Sequence, residues 1–200
     1  MFESYSNTME PTAQPMTPQE SLDLITSMIR QAQRNVQQSS YYFLLWGWVV
    51  ALSHASAYVL LMMDYRRPYL VWLLTIPAWI ITVYKSRQQG RTARSVSHLD
   101  HITWALWTSF GICIFTLVAF GYKINFQLNA VILLVCALPT SVSGVILRFK
   151  PLIWGGVCFW LCGIASFLLP ASWQHIVGLV AIVSGYLVPG YLLRNKLKNV

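Results

Sequence analysis

Four histidines carry most of the acid–base or metal chemistry open to this 200-residue chain. His54 lies in the middle of a long apolar run, flanked by Ser53 and Ser56. An imidazole there could accept a proton or bind a polar ligand, or it could stay neutral and hydrogen-bond to a neighbouring helix. His175, beside Trp173 and Gln174 at the start of another apolar run, has the setting of an interfacial residue. The third and fourth belong to Ser97-His98-Leu99-Asp100-His101. His98 and His101 are spaced to share one helical face, and two imidazoles with the Asp100 carboxylate are a weak candidate for a transition metal. No further ligand stands near them in the chain, and Asp100 equally suits the first turn of a helix. The basic residues Arg87, Arg91 and Arg94 just upstream suit lipid phosphates better than nucleic acid.

Nucleophiles offer less. Ser141-Val142-Ser143-Gly144 and a histidine in a later run could suggest the serine–histidine dyad of an intramembrane protease. Such a dyad needs hydrogen-bond contact. Ser143 lies five residues before Arg148 at one end of its run, and His175 lies at the opposite end of its own. At 1.5 Å per residue their depths differ by roughly 20 Å, so the dyad cannot form. Cys113, Cys136, Cys158 and Cys162 all fall inside apolar runs, as packed thiols do, with no disulfide framework. Nothing calls for a cofactor, and no catalytic residue is assigned.

The elements that would position these residues follow from composition. The chain is 56% hydrophobic and only 10% charged, against about 25% charged in an average soluble domain. Its mean hydropathy is +0.53. A spanning helix needs about 20 apolar residues. Six stretches approach or exceed that length, at roughly 41–63, 69–84, 102–122, 126–147, 151–169 and 173–193. The expected fold is therefore all-α: a polytopic six-helix bundle over 41–193, followed by a basic tail at 194–200. None of the six runs contains Asp, Glu, Lys or Arg, which removes the usual relay of a coupled proton or sodium transporter. No cleavable leader is expected, since residues 1–40 lack an apolar core.

Eleven of the 14 Lys and Arg residues fall on one side of this topology, in the N-terminal arm, the second and fourth loops and the tail. By the positive-inside rule that side is the cytoplasm, and both termini lie there. The net charge of +8 is then topological, and no nucleic acid partner is expected.

The spans also suggest a hairpin repeated three times. Trp46, Trp107 and Trp154 lie near the start of the odd-numbered spans, and Pro77, Pro139 and Pro189 follow in the even-numbered ones at spacings of 31, 32 and 35 residues. Each proline is expected toward the cytoplasmic end of its span. The alternative is that tryptophan belts and helix prolines are common in membranes generally.

Before the first span, residues 1–16 form a polar tail expected to be disordered. Thr17-Pro18-Gln19-Glu20 is a helix start with a capping box, opening an amphipathic cytoplasmic helix over 17–38. Leu22, Ile25, Met28 and Ile29 lead its apolar stripe. That stripe could rest on the bilayer, pack under its own bundle, or take a protein partner or a second copy through residues 17–36.

Four stretches carry a resemblance: Ser21-Leu22-x-Leu24-Ile25-x-x-Met28-Ile29, Tyr42-Phe43-Leu44-Leu45-Trp46-Gly47-Trp48, Phe149-Lys150-Pro151-Leu152-Ile153-Trp154-Gly155-Gly156 and Gly185-Tyr186-Leu187-Val188-Pro189-Gly190-Tyr191-Leu192-Leu193. From about residue 20 onward the chain resembles small polytopic inner-membrane proteins of the Bacteroidota. The resemblance implies a bacterial inner-membrane location and six spans, with no activity or site residue to transfer. The leading functional expectation is a non-enzymatic protein that acts through assembly, as a membrane-bound regulatory or partner subunit. The alternative is a small-solute channel or transporter built from hairpins, with His54 in its path. A lipid-headgroup enzyme using His98, Asp100 and His101 is the weakest reading.

Overall fold

A computed structural model describes residues 17–92, 98–124 and 127–198. The described residues are almost entirely helical and contain no strand. In chain order the elements are α1 (Pro18–Met62), a 3-10 segment (Pro68–Leu74), α2 (Thr75–Thr92), α3 (His98–Ala119), a 3-10 turn (Gly121–Ile124), α4 (Leu128–Ile146), α5 (Lys150–Leu168), α6 (Ala171–Ile182), a π-helical segment (Val183–Leu187) and α7 (Val188–Lys198). The chain divides into two units, Met1–Asn35 and Val36–Val200.

In the first unit the capping box forms as the spacing predicts. The Thr17 N–H donates to Glu20 Oε2 at 2.8 Å, and the Glu20 N–H donates to Thr17 Oγ1 at 3.3 Å. Two otherwise orphaned amides at the helix start are thereby satisfied. Hydrogen bonds from the Thr17 backbone N–H and then its hydroxyl hold the Glu20 carboxyl below its ordinary range. The apolar stripe is exposed, with Leu22 at 64% and Met28 at 59% of full exposure. The arm helix does not end near residue 38: α1 continues through Gln37-Gln38-Ser39-Ser40, which contains no proline or glycine to stop it.

The second unit is a bundle. Six helical stretches are long and apolar enough to cross a membrane: Pro18–Met62, Pro68–Gln88, Asp100–Ala119, Leu128–Ile146, Lys150–Leu168 and Ser172–Lys196. Apart from the arm within the first, they agree with the expected spans to within a few residues. Their contacts run antiparallel. Ser40 Oγ, midway along α1, donates to the Gly190 carbonyl, and His54, fourteen residues further along the same helix, meets His175. The end that holds Ser40 and Gly190 is called the near end below, and the end that holds Asp64 and Pro170 the far end.

Small residues let the α4–α5 pair approach closely, as in many membrane bundles. A Cβ at Gly144 would lie 2.7 Å from Ile153 Cγ1, and one at Gly163 would lie 2.8 Å from Leu134 Cγ. One at Gly156 would overlap Ser141 Oγ. Leu133, Leu152, Phe159, Tyr186 and Phe43 form the centre of the core. Phe159 and Tyr186 meet edge to face at 4.8 Å between ring centres. Ile112, Phe115, Val118, Trp160, Leu161 and Val180 point outward, as lipid-facing side chains of spanning helices do.

The three prolines sit in three different settings. Pro77 is the third residue of α2, just past the 3-10 segment and in the middle of its span rather than near its end. Its ring cannot follow an α-helical Leu73 carbonyl, and the tighter winding before it avoids that clash. Pro139 lies inside α4. Pro189 follows the π segment, where its missing N–H leaves the Gly185 carbonyl without an i−4 donor. Gly155 packs directly on that carbonyl, with a hypothetical Cβ 2.8 Å from it.

The hairpins do share one hydrogen bond. Trp46 Nε1–H donates to Thr82 Oγ1 at 3.1 Å, and Trp107 Nε1–H donates to Ser143 Oγ at 3.2 Å. Both pairs are 36 residues apart. The third hairpin breaks the pattern: the same interval from Trp154 reaches Gly190, which has no hydroxyl, and Trp154 is exposed.

Candidate functional site

The second turn of α6 points His175 into the bundle, where it meets His54 from α1. The two ring centres are 5.8 Å apart and the planes are inclined by 58°. Trp72, from the 3-10 segment, stands edge to face against His54 at 5.0 Å. Gly178, one turn beyond His175 on the same helix, supplies the remaining wall. It lies so close that a Cβ there would overlap the Cε1 atom of His54. Two elements, the 3-10 segment and α6, therefore converge on one imidazole of α1.

His54 is 3% exposed. It lies eight residues before the end of α1, so its depth from the far end is about 12 Å along the helix. Its position in the interior of the first span is as the sequence indicates. Its Nδ1 is buried and makes no hydrogen bond. Neighbouring Ser53 turns back on its own helix, donating to the Val49 carbonyl at 2.8 Å. The Nδ1 of half-buried His175 is buried without a partner too. Two orphaned nitrogens in one cluster contrast with the general rule that buried polar groups are paired.

Directly beside this pair the polar groups are satisfied. Gln174, 7% exposed, donates through Nε2 to Gln127 Oε1 at 3.0 Å and to the Ser166 carbonyl at 3.1 Å. Asn129 Nδ2 donates to Ser166 Oγ at 3.1 Å and to the Gln174 carbonyl at 2.8 Å. This network ties the far ends of α4, α5 and α6 together. It gives Asn129 and Ser166 a bracing role consistent with helix packing.

The other sequence candidates lie elsewhere. Ser143 accepts from Trp107 and is thus engaged in the bundle near the opposite end from His175. His98 opens α3, Asp100 lies in its first turn and His101 is exposed, while the His98 side chain is outside the described residues. Among the described residues no group of three or more His, Cys, Asp or Glu side chains gathers into a metal site. Arg87 is exposed on α2. The Arg91 side chain and all of Arg94 fall outside the described residues. Leu22, Ile25, Met28 and Ile29 are all exposed on the arm. Cys136 is buried, whereas Cys113 is exposed, and all four thiols are free.

Trp72 and Gly178 carry no sequence signal as parts of a site. The three-residue interval from His175 to Gly178 does place them on one helical face, but nothing in the chain says which ring that face meets. Compared with known proteins, the chain matches no family model, no curated protein and no solved structure.

Proposed function

We propose that the protein is a non-enzymatic, multi-pass subunit of a bacterial inner membrane, with both termini cytoplasmic, that acts by assembling with a protein partner or a second copy through residues 17–36. The observation that carries this reading is the stripe of Leu22, Ile25, Met28 and Ile29, each more than half exposed on a capped helix. An amphipathic helix gains stability mainly by burying its apolar face, so this one calls for a covering surface. The sidedness rests on the unequal distribution of Lys and Arg.

The test is affinity purification from native membranes of the full chain, a version lacking residues 1–36, and Ile25→Glu/Ile29→Glu. A stoichiometric companion, or a dimer by light scattering, present with the first and lost with the other two, supports the reading. Identical composition and mass in all three removes it.

A small-solute channel is the second reading, favoured by the two imidazoles facing each other inside the bundle. It requires flux into proteoliposomes that falls in His54→Ala; absence of flux across ions and small polar solutes counts against it.

A further inference from the structure

We propose that His54 and His175 bind one monovalent soft cation, copper(I), between their rings. The inference is independent of the assembly reading and shares with the channel reading only the pair itself, since it rests on the geometry of these two rings.

A metal–imidazole bond is about 2.0 Å and a ring nitrogen lies about 1.1 Å from its ring centre, so two imidazoles sharing one ion in a line hold their centres about 6 Å apart. The observed separation is 5.8 Å. The inclination of 58° is compatible, since rotation about a linear N–metal–N axis leaves both bonds unchanged. Each ring also has a nitrogen to give. Both Nδ1 atoms are buried and unpartnered, and a neutral imidazole protonated at Nε2 presents a lone pair at Nδ1. A buried lone pair left without a donor is costly, and an ion would use both at once.

The choice of ion follows from what surrounds the pair. Among the described residues no third His, Cys, Asp or Glu joins them. Zinc prefers four ligands, and calcium or magnesium takes six or more oxygens. Two neutral nitrogen ligands in a charge-poor interior suit a filled-shell monovalent ion that accepts linear two-coordination. One positive charge is also much cheaper to desolvate than two. Trp72 and Gly178 pack against His54 and fix its ring.

The experiment uses the full chain in lipid nanodiscs, titrated without oxygen with copper(I) held reduced by ascorbate. Bound copper is measured after desalting and its ligands by X-ray absorption. One copper per chain, with two nitrogen neighbours and no sulfur, is the expected result. His54→Gln and His175→Gln should each weaken retention at least tenfold, while His98→Ala/His101→Ala leaves it unchanged. His175 is only half-buried, so its variant decides the matter even where His54→Gln fails to fold. Sulfur ligation from the cysteines, no retained copper, or full retention in His175→Gln overturns the proposal.

Discussion

Gly178 sits one helical turn beyond His175 and presses its bare Cα side against the imidazole of His54, leaving no room for even a methyl group between α6 and that ring. Gly178→Ala must therefore displace either the ring or the helix. Overpacking of this kind costs about 1–3 kcal/mol. The thermal midpoint of the protein in nanodiscs should fall accordingly. His54→Ala/Gly178→Ala should recover part of the loss, because the smaller side chain vacates the space that the new methyl needs. Equal midpoints for Gly178→Ala and the parent protein would remove the contact from the account.

Two helix ends contain a correctable strain. Asp64 and Arg148 have φ of 56° and 47°, the left-handed region. Each is the turning residue of a Schellman motif. At the second, the Phe149 N–H reaches the Gly144 carbonyl at 2.9 Å and the Arg148 N–H reaches that of Val145 at 3.1 Å. A side chain with a Cβ pays roughly 1–2 kcal/mol in this conformation, and glycine does not. Arg148→Gly should thus stabilise the bundle by about 1 kcal/mol, whereas Arg148→Ala should not. Asp64→Gly should gain less, since aspartate tolerates the region better. Thermal unfolding of the three variants checks the order.

The tryptophan–hydroxyl bonds within each of the first two hairpins can be weighed separately. Thr82→Val leaves the Trp46 indole N–H without its acceptor, and Ser143→Ala does the same to Trp107. Each loss should cost about 0.5–1.5 kcal/mol. Double-mutant cycles with Trp46→Phe and Trp107→Phe should give coupling near 0.6 kcal/mol, the usual size between membrane helices. The same cycle between Trp154 and Gly190 should give none.

Acid should fray the start of the arm. The Glu20 carboxyl is held below the ordinary glutamate value of 4.5 by hydrogen bonds to Thr17, first the backbone N–H and then the hydroxyl. A depressed folded-state value means that the stabilisation is fully present above pH 4.5 and disappears as pH falls through the folded value. Amide exchange at Glu20 and Ser21, corrected for its intrinsic pH dependence, should accelerate in acid. Glu20→Gln should flatten that response, because its amide stays neutral throughout.

The spans were legible in the chain because lipid solvation acts on each helix by itself. Twenty apolar residues will partition as a helix whatever their neighbours do, and every backbone group is satisfied within the segment. The capping box was legible for the same reason, since Thr17 and Glu20 are three residues apart and bond locally. Helix ends were less so. No glycine marks the turn at Arg148, and nothing marks a stop within residues 37–40 because no stop exists there. Tryptophan and proline recur along the chain at similar intervals, but the indole-to-hydroxyl bond 36 residues on, which two of the three hairpins make, appears only when two helices are packed.

The pairing of His54 with His175 belongs wholly to the tertiary structure. From the chain, one is a polar residue within a span and the other a residue at a span's edge, and each has an ordinary explanation alone. Helix periodicity says which residues share a face of one helix; it carries no information on the rotation of α6 against α1 or on which turn meets which. Here that choice follows the close approach at Gly178, where His54 needs the space a side chain would take, and the network through Gln174, which anchors the first turns of α6 to α4 and α5. Solvation of individual segments set the helices; steric fit and hydrogen bonding between them set the site.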